Sequence, residues 1–306
     1  MSLLVVGSIA LDTIKTPFGK AKEALGGSAT YFSMAANHLT DVNLVAVVGE
    51  DFSKEHIAIF RDKGIDLSGL QIAKGKTFRW VGEYGFDLNE AQTIDTQLNV
   101  FQDFNPQLPP KYQHSQFVFL ANIDPDIQRQ VLNQINSPRL VACDTMNFWI
   151  ENKPESLKKT MQRVDIVIIN EAEVRQLTKE PNLVKASRKI LSWGPKALII
   201  KRGEYGVLMF SGNSVFSAPA YPLEELYDPT GAGDSFAGGL MGFLSNTGNI
   251  DENSIRKGII MGSVMASFCV ETFTPQRLIN LDPREIKARF KEFKHLTYFE
   301  DLTEII

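Results

Sequence analysis

Nine consecutive residues, Asp228-Pro229-Thr230-Gly231-Ala232-Gly233-Asp234-Ser235-Phe236, carry the clearest chemistry in this 306-residue chain. They run into an apolar, helix-like segment over residues 236–244. The first N–H groups of a helix have no internal acceptor, and the helix dipole favours negative charge there. A glycine-rich loop that opens a helix is therefore an anion site. Gly231, Ala232 and Gly233 are the candidate anion hole, because a backbone without side chains lets an anion come close. Asp234 then places a carboxylate where an anion should sit. That placement has a use if the carboxylate takes a proton from a hydroxyl while the amides hold a phosphate. For an isolated Gly-x-Gly-Asp, a first-turn acid favoured by the dipole is the plain alternative.

Other residues of the same character stand at strand ends. Asp12 follows a short apolar run, residues 3–6, that reads as a buried central strand, and ligands in open α/β sheets bind beyond such carboxyl ends. Gly26-Gly27 open a small-residue segment that reaches Tyr31. Asp144 lies just past the apolar run 140–143, where it is a turn former or a ligand-shell residue. Asn170 and Glu173 follow the apolar run 166–169 and have the spacing of a helix capping pair. Lys201, Arg202, Gly203 and Gly206 close another apolar run, 197–200, and either basic side chain could touch phosphate or remain a solvated edge charge.

The nine-residue run resembles the signature of the ribokinase-like, or PfkB, carbohydrate kinases, Asp-Thr-x-Gly-Ala-Gly-Asp, with Pro229 where the family has Thr. The resemblance extends over nearly the whole chain. It implies an α/β fold, a three-layer sandwich with a mainly parallel central sheet and a small β-sheet lid, within a single domain over 1–306. It implies transfer of the γ-phosphoryl group of ATP to a hydroxyl of a small sugar or sugar-like molecule, with Asp234 as general base, or of a nucleoside as the alternative acceptor. The substrate side would comprise Asp12, Gly26, Gly27, Tyr31 and Asp144. The nucleotide side would comprise Asn170, Glu173, Lys201, Gly203, Gly206 and Thr230. Asn170 and Glu173 would place Mg²⁺ largely through water, and a monovalent cation such as K⁺ accompanies some members. Tyr31 departs from the family, which has Asn four residues after the second Gly; a ring offers a stacking face and one hydroxyl in place of an amide.

The elements that must hold these residues are legible as texture. Apolar runs at 43–48, 117–120, 140–143, 166–169 and 197–200 alternate with helix-like stretches at 53–63, 126–135 and 154–162, the pattern of a parallel sheet wrapped by helices. A hairpin is expected over 207–216, and helices over 259–273 and 283–294. Residues 76–101 alternate and are rich in aromatics, including Phe78, Trp80, Tyr84 and Phe86. Lid strands are expected at about 13–20 and 76–101, able to exclude water and to serve as a homodimer surface.

Composition fits that reading: 43% hydrophobic, 22% charged and a formal net charge of −4. Without a basic run, nucleic acid and anionic membrane are not the expected partners. The start of the chain lacks a basic segment before a short apolar run, so no signal peptide and a cytoplasmic location are expected. Cys143 and Cys269 are far apart, lack Cys-x-x-Cys spacing and are expected as buried free thiols. Neither a phosphate-binding Gly-x-x-x-x-Gly-Lys-Ser/Thr loop nor a protein-kinase motif set is present. Two rivals remain at this level, a dinucleotide-binding oxidoreductase and a catalytically silent ligand-binding relative; the late position of Gly231-x-Gly233 and the intact Asp234 disfavour them.

Overall fold

The computed structural model describes residues 2–298. Its strands are β1 (Leu3–Val6), β2 (Ala10–Thr16), β3 (Gly19–Gly26), β4 (Val42–Gly49), β5 (Asp66–Ala73), β6 (Phe78–Tyr84) and β7 (Ala91–Gln97). They continue as β8 (Phe117–Leu120), β9 (Leu140–Cys143), β10 (Ile166–Asn170), β11 (Ala197–Lys201), β12 (Val207–Ser211) and β13 (Ser214–Ala218). Nine of them form one sheet in the order β13-β12-β11-β10-β9-β8-β1-β4-β5. It is parallel from β5 to β11 and closes with the antiparallel β12 and β13.

The short strands are apolar throughout because both of their faces are covered. In β1, Leu3 and Val5 join one buried cluster while Leu4 and Val6 join the other, as the two-residue period of a strand requires. The first cluster lies under the helices Ser28–Ala36, Ala232–Thr247 and Glu252–Cys269. The second lies under Pro125–Leu132, Pro154–Met161 and Leu183–Leu191. The product is the three-layer helix–sheet–helix sandwich expected from the alternating pattern of the sequence.

The four remaining strands form a second sheet, β3-β2-β6-β7, in which β2 and β6 are parallel and the outer pairs antiparallel. Its strands take in residues 10–26 on the N-terminal side, a wider stretch than 13–20. The alternation over 93–101 does not continue as strand: β7 ends at Gln97, Asn99 takes φ 49, and Asn99–Asp103 is a 3₁₀ turn. Phe101 is drawn inward between Phe78 and Phe104, at ring-centroid distances of 5.4 and 5.7 Å. Likewise the helix expected over 259–273 runs Glu252–Cys269, begun by Asp251, whose carboxylate caps the Ser254 N–H. Both cysteines are buried and unpaired. No helix among the described residues is long and apolar enough to cross a membrane.

Candidate active site

The loop 228–234 lies at the carboxyl edge of the main sheet, between the two sheets. Gly231 is the N-cap of the Ala232–Thr247 helix and holds φ 77, a left-handed conformation that glycine adopts without a Cβ penalty. There is no room for a side chain either, since a Cβ there would fall 2.2 Å from Cγ of Tyr31. Asp228 ties the loop down: its Oδ1 accepts the Thr230 N–H at 2.9 Å and its Oδ2 the Thr274 N–H at 3.4 Å. The Ala232 N–H donates to the Pro229 carbonyl at 3.1 Å, and the Ser235 N–H to the Gly231 carbonyl at 2.8 Å. Among the described residues, no acceptor meets the N–H groups of Gly231, Gly233 and Asp234. Two of the trio 231–233, Gly231 and Gly233, are therefore open to an anion, while Ala232 closes the turn and the Asp234 N–H is open in its place.

Lys201, at the end of β11, brings positive charge to this helix mouth. Its Nζ donates to Asp144 Oδ2 at 2.7 Å, and a Cβ on Gly233 would lie only 2.9 Å from that Nζ. Asp144, past the end of β9, is buried and also accepts the Thr145 N–H at 2.7 Å. Asp234 keeps some solvent exposure at the helix mouth, but its carboxyl is enclosed. Burial pushes it up to about 7, with Asp144 adding to the rise and Lys201 opposing it.

Asn170 and Glu173 form a complete capping box. The Asn170 N–H donates to Glu173 Oε2 and the Glu173 N–H to Asn170 Oδ1, both at 2.8 Å. Glu173 is buried, and burial together with Asp144 raises it to about 7 against the pull of Lys201. Arg202 does not share that cleft, because its Nε is paired with Glu171 Oε2 at 2.6 Å. Gly203 starts the 3₁₀ turn Gly203–Tyr205, and Gly206 follows it with φ 82. The Asn89 side chain, at the β6–β7 tip, accepts the Glu204 N–H and donates to the Glu204 carboxylate, both at 3.3 Å.

On the other side of the loop, Asp12 projects from β2. Its Oδ2 accepts the Gly27 N–H at 3.2 Å, while its buried Oδ1 has no partner among the described residues. Burial lifts Asp12 to about 7; the Gly27 hydrogen bond opposes this, and Asp228 and Asp234 add to it. Gly26 is packed on that carboxylate, a Cβ there falling 1.9 Å from Oδ2. The stacking face expected of Tyr31 is not free: the residue is 1% exposed and its ring lies on Gly231, leaving a buried, unpartnered hydroxyl. Sequence reasoning gave no role to Asp228, although Asp two residues before a backbone N–H is the spacing of an Asx turn. Nor did it join Tyr84 to the loop, where the Thr230 hydroxyl donates to the Tyr84 oxygen at 3.2 Å. No local signal links residues that far apart.

The chain matches the pfkB family of carbohydrate kinases over residues 3–280. It is 32% identical over 267 residues to a cytidine kinase of Thermococcus kodakarensis, covering 85% of this chain and 94% of that one. The fold superposes on a nucleoside kinase of Burkholderia thailandensis solved with inosine, at TM-score 0.76 and 19% identity, over 95% of this chain and 97% of that one. It also superposes on a ribokinase-type chain of E. coli solved with ATP and Mg²⁺, at TM-score 0.78 and 18% identity, over 95% and 99%. The chain therefore belongs to the pfkB carbohydrate kinase family, and it is a phosphotransferase with a hydroxyl as acceptor.

Proposed function

We propose that the protein transfers the γ-phosphoryl group of ATP to a ribose hydroxyl of a nucleoside, with cytidine the first acceptor to try. The observation that carries the chemistry is the Asp234 carboxyl, raised to about 7 beside open helix N–H donors and Lys201. The likeness to a cytidine kinase supports the choice of acceptor. In this reading Asp12 holds acceptor hydroxyls and Asp234 accepts the proton of the reacting one. The freed oxygen bonds to the γ-phosphorus, the bond from that phosphorus to the bridging oxygen breaks, and ADP leaves. The open N–H groups and Lys201 offset charge on the transferring group, so the protein's work is positioning and charge balance.

Among the described residues no three His, Cys, Asp or Glu side chains converge to hold a metal by themselves. That fits Mg²⁺, which keeps several waters and takes phosphate oxygens as ligands. Asn170 and Glu173 would hold it at one remove, where it neutralises phosphate charge. Dependence on a monovalent cation such as K⁺ belongs to the same reading and is checked by replacing KCl with choline chloride.

The small sheet is the lid of this site. Its edge strand β7 has all seven residues exposed and, among the described residues, no strand on its outer side, which supports this edge as the surface of a homodimer. Sedimentation should then give the mass of two chains, and Ile94→Lys should return one. A coupled assay with ATP and Mg²⁺ across cytidine, uridine, inosine, ribose, fructose and myo-inositol tests the activity. Turnover confined to free sugars would remove the nucleoside, and no turnover with any acceptor would remove the mechanism.

A further inference from the structure

Where the chain passes from the main sheet into the small one, a single guanidinium ties three segments together. Arg79 is the second residue of β6. Its Nη1 lies 2.9 Å from Asp51 Oδ2, in the turn after β4, and its Nε donates to Glu23 Oε1 at 3.1 Å, on β3. Asp51 is itself engaged on the other side. Its Oδ1 accepts both the N–H and the hydroxyl of the fully buried Thr77 at 2.7 Å, and Thr77 Oγ1 accepts the Gly49 N–H at 3.0 Å. A bidentate cation between two carboxylates suits the fork of arginine and not the point charge of lysine.

This group braces the strands on either side of Asp12 without touching it. Across the small sheet, Asp12 pairs with Ala24 on β3 and Trp80 on β6. Glu23 and Arg79 precede those two partners in the chain, and Arg79, paired with Leu11, projects from the face of the sheet opposite to Asp12. The β2–β3 register slips between Asp12 and Ile14, and Glu23 there holds φ 46, a left-handed conformation that is costly for a residue with a Cβ. A strained bulge beside a buried carboxylate needs something to hold it, and the Arg79 bridge is anchored in the main body through Asp51. From Arg79, β6 runs five residues on, about 16 Å at strand rise, to Tyr84 and its contact with Thr230. The Glu23 side chain is 53% exposed, so its pairing alone contributes little. The more enclosed Asp51 contact, with Arg79 at 20% and Asp51 at 29%, is the anchor.

We propose that Arg79, clamped by Asp51 and Glu23, is a positioning residue that sets Asp12 for the acceptor and fixes the small sheet against the loop 228–234. This rests on the reading of Asp12 as the acceptor's ligand.

The test uses the full chain and the variants Arg79→Met, Asp51→Asn and Arg79→Lys, with Asp12→Asn as reference and cytidine and ATP–Mg²⁺ as substrates. Arg79→Met and Asp51→Asn should raise KM for cytidine about tenfold or more, with kcat and KM for ATP within about threefold. Arg79→Lys should recover part of the loss. Unchanged cytidine KM in both variants while Asp12→Asn raises it, or an equal loss in every parameter, overturns the proposal. A second measurement needs no substrate. Amide hydrogen exchange over residues 10–16 and 78–84 should quicken about fivefold or more in Arg79→Met, with residues 232–247 as in the parent. Unchanged exchange at 10–16 overturns the positioning role whatever the acceptor proves to be. Failure of Asp12→Asn to move KM removes the acceptor reading alone, and the exchange result still decides for Arg79.

Discussion

Asp12, Glu173 and Asp234 are three enclosed carboxyls raised to about 7, of which Glu173 and Asp234 share one lysine, Lys201, and Asp12 faces Asp228 and Asp234 instead. The fold leaves them short of counter-charge, and a substrate and its cation restore the balance. A carboxylate near neutrality is strong enough as a base and still ionised at working pH. Asp234→Asn should therefore lower turnover by about two to four orders of magnitude, with nucleotide binding by calorimetry retained. The same substitution should stabilise the ligand-free protein at pH 8. The folded value of Asp234 lies above its ordinary 3.8, so the folded state binds the proton more tightly. The stability from that proton is full below about pH 4 and lost as pH rises through about 7. Removing the charge at pH 8 should raise Tm by about 2–5 °C. A turnover near that of the parent, or a lower Tm, refutes the assignment. For the parent, kcat/KM for cytidine should fall about tenfold per unit on the acid side of pH 7 as Asp234 of the free enzyme takes up its proton. A flat profile from pH 5 to 8 would mean that another group carries the proton.

At the scale of elements, the Ala232–Thr247 helix must be fixed along its length for Asp234 to stay in place at its mouth. Close packing against Glu252–Cys269 does this. A Cβ at Gly262 would come within 2.6 Å of the Phe236 carbonyl, which is backbone and cannot swing away. Gly262→Val should cost about 2–3 kcal/mol or more in urea unfolding, and a cost below about 0.5 kcal/mol would show that the helices separate freely. The short strands β1, β8, β9, β10 and β11 were legible in the sequence, because burial on both faces makes their sequences continuously apolar. Strand β3 was only partly legible: its Gly-Lys-Ala-Lys-Glu start is mostly exposed and is held by pairing to β2. Strand β5, with a polar Asp-Leu-Ser-Gly start, is likewise held by its register with β4. In the site, contiguous motifs such as 228–236 could be read directly. Contacts such as Tyr31 on Gly231, where two helices of the main body pack, or Arg79 on Asp51 and Glu23, where the small sheet meets the main body, join residues far apart in the sequence.

Across the whole molecule, the small sheet meets the main body on both sides of the loop 228–234. At the β2–β3 tip, the Thr16 hydroxyl donates to the Tyr227 carbonyl at 2.9 Å and Phe18 packs edge-on to Tyr227 at 6.3 Å. At the β6–β7 tip, Asn89 reaches the Gly203–Tyr205 turn. A cover tethered at both ends would exclude water from a phosphoryl group that water can otherwise accept. The two tethers differ in strength. The first combines a short hydrogen bond with ring packing, whereas the second is a pair of long hydrogen bonds from an exposed hairpin tip, so opening is expected at the second end. Asn89→Ala should leave stability within about 0.5 kcal/mol, because it removes only exposed, weak contacts. It should also raise ADP release in the absence of acceptor about threefold or more relative to phosphoryl transfer, by admitting water at the nucleotide end. Both rates come from one ADP-coupled assay, run with and without cytidine. An unchanged ratio in Asn89→Ala, with the fold intact by circular dichroism, would mean that the small sheet does not seal the site at this end.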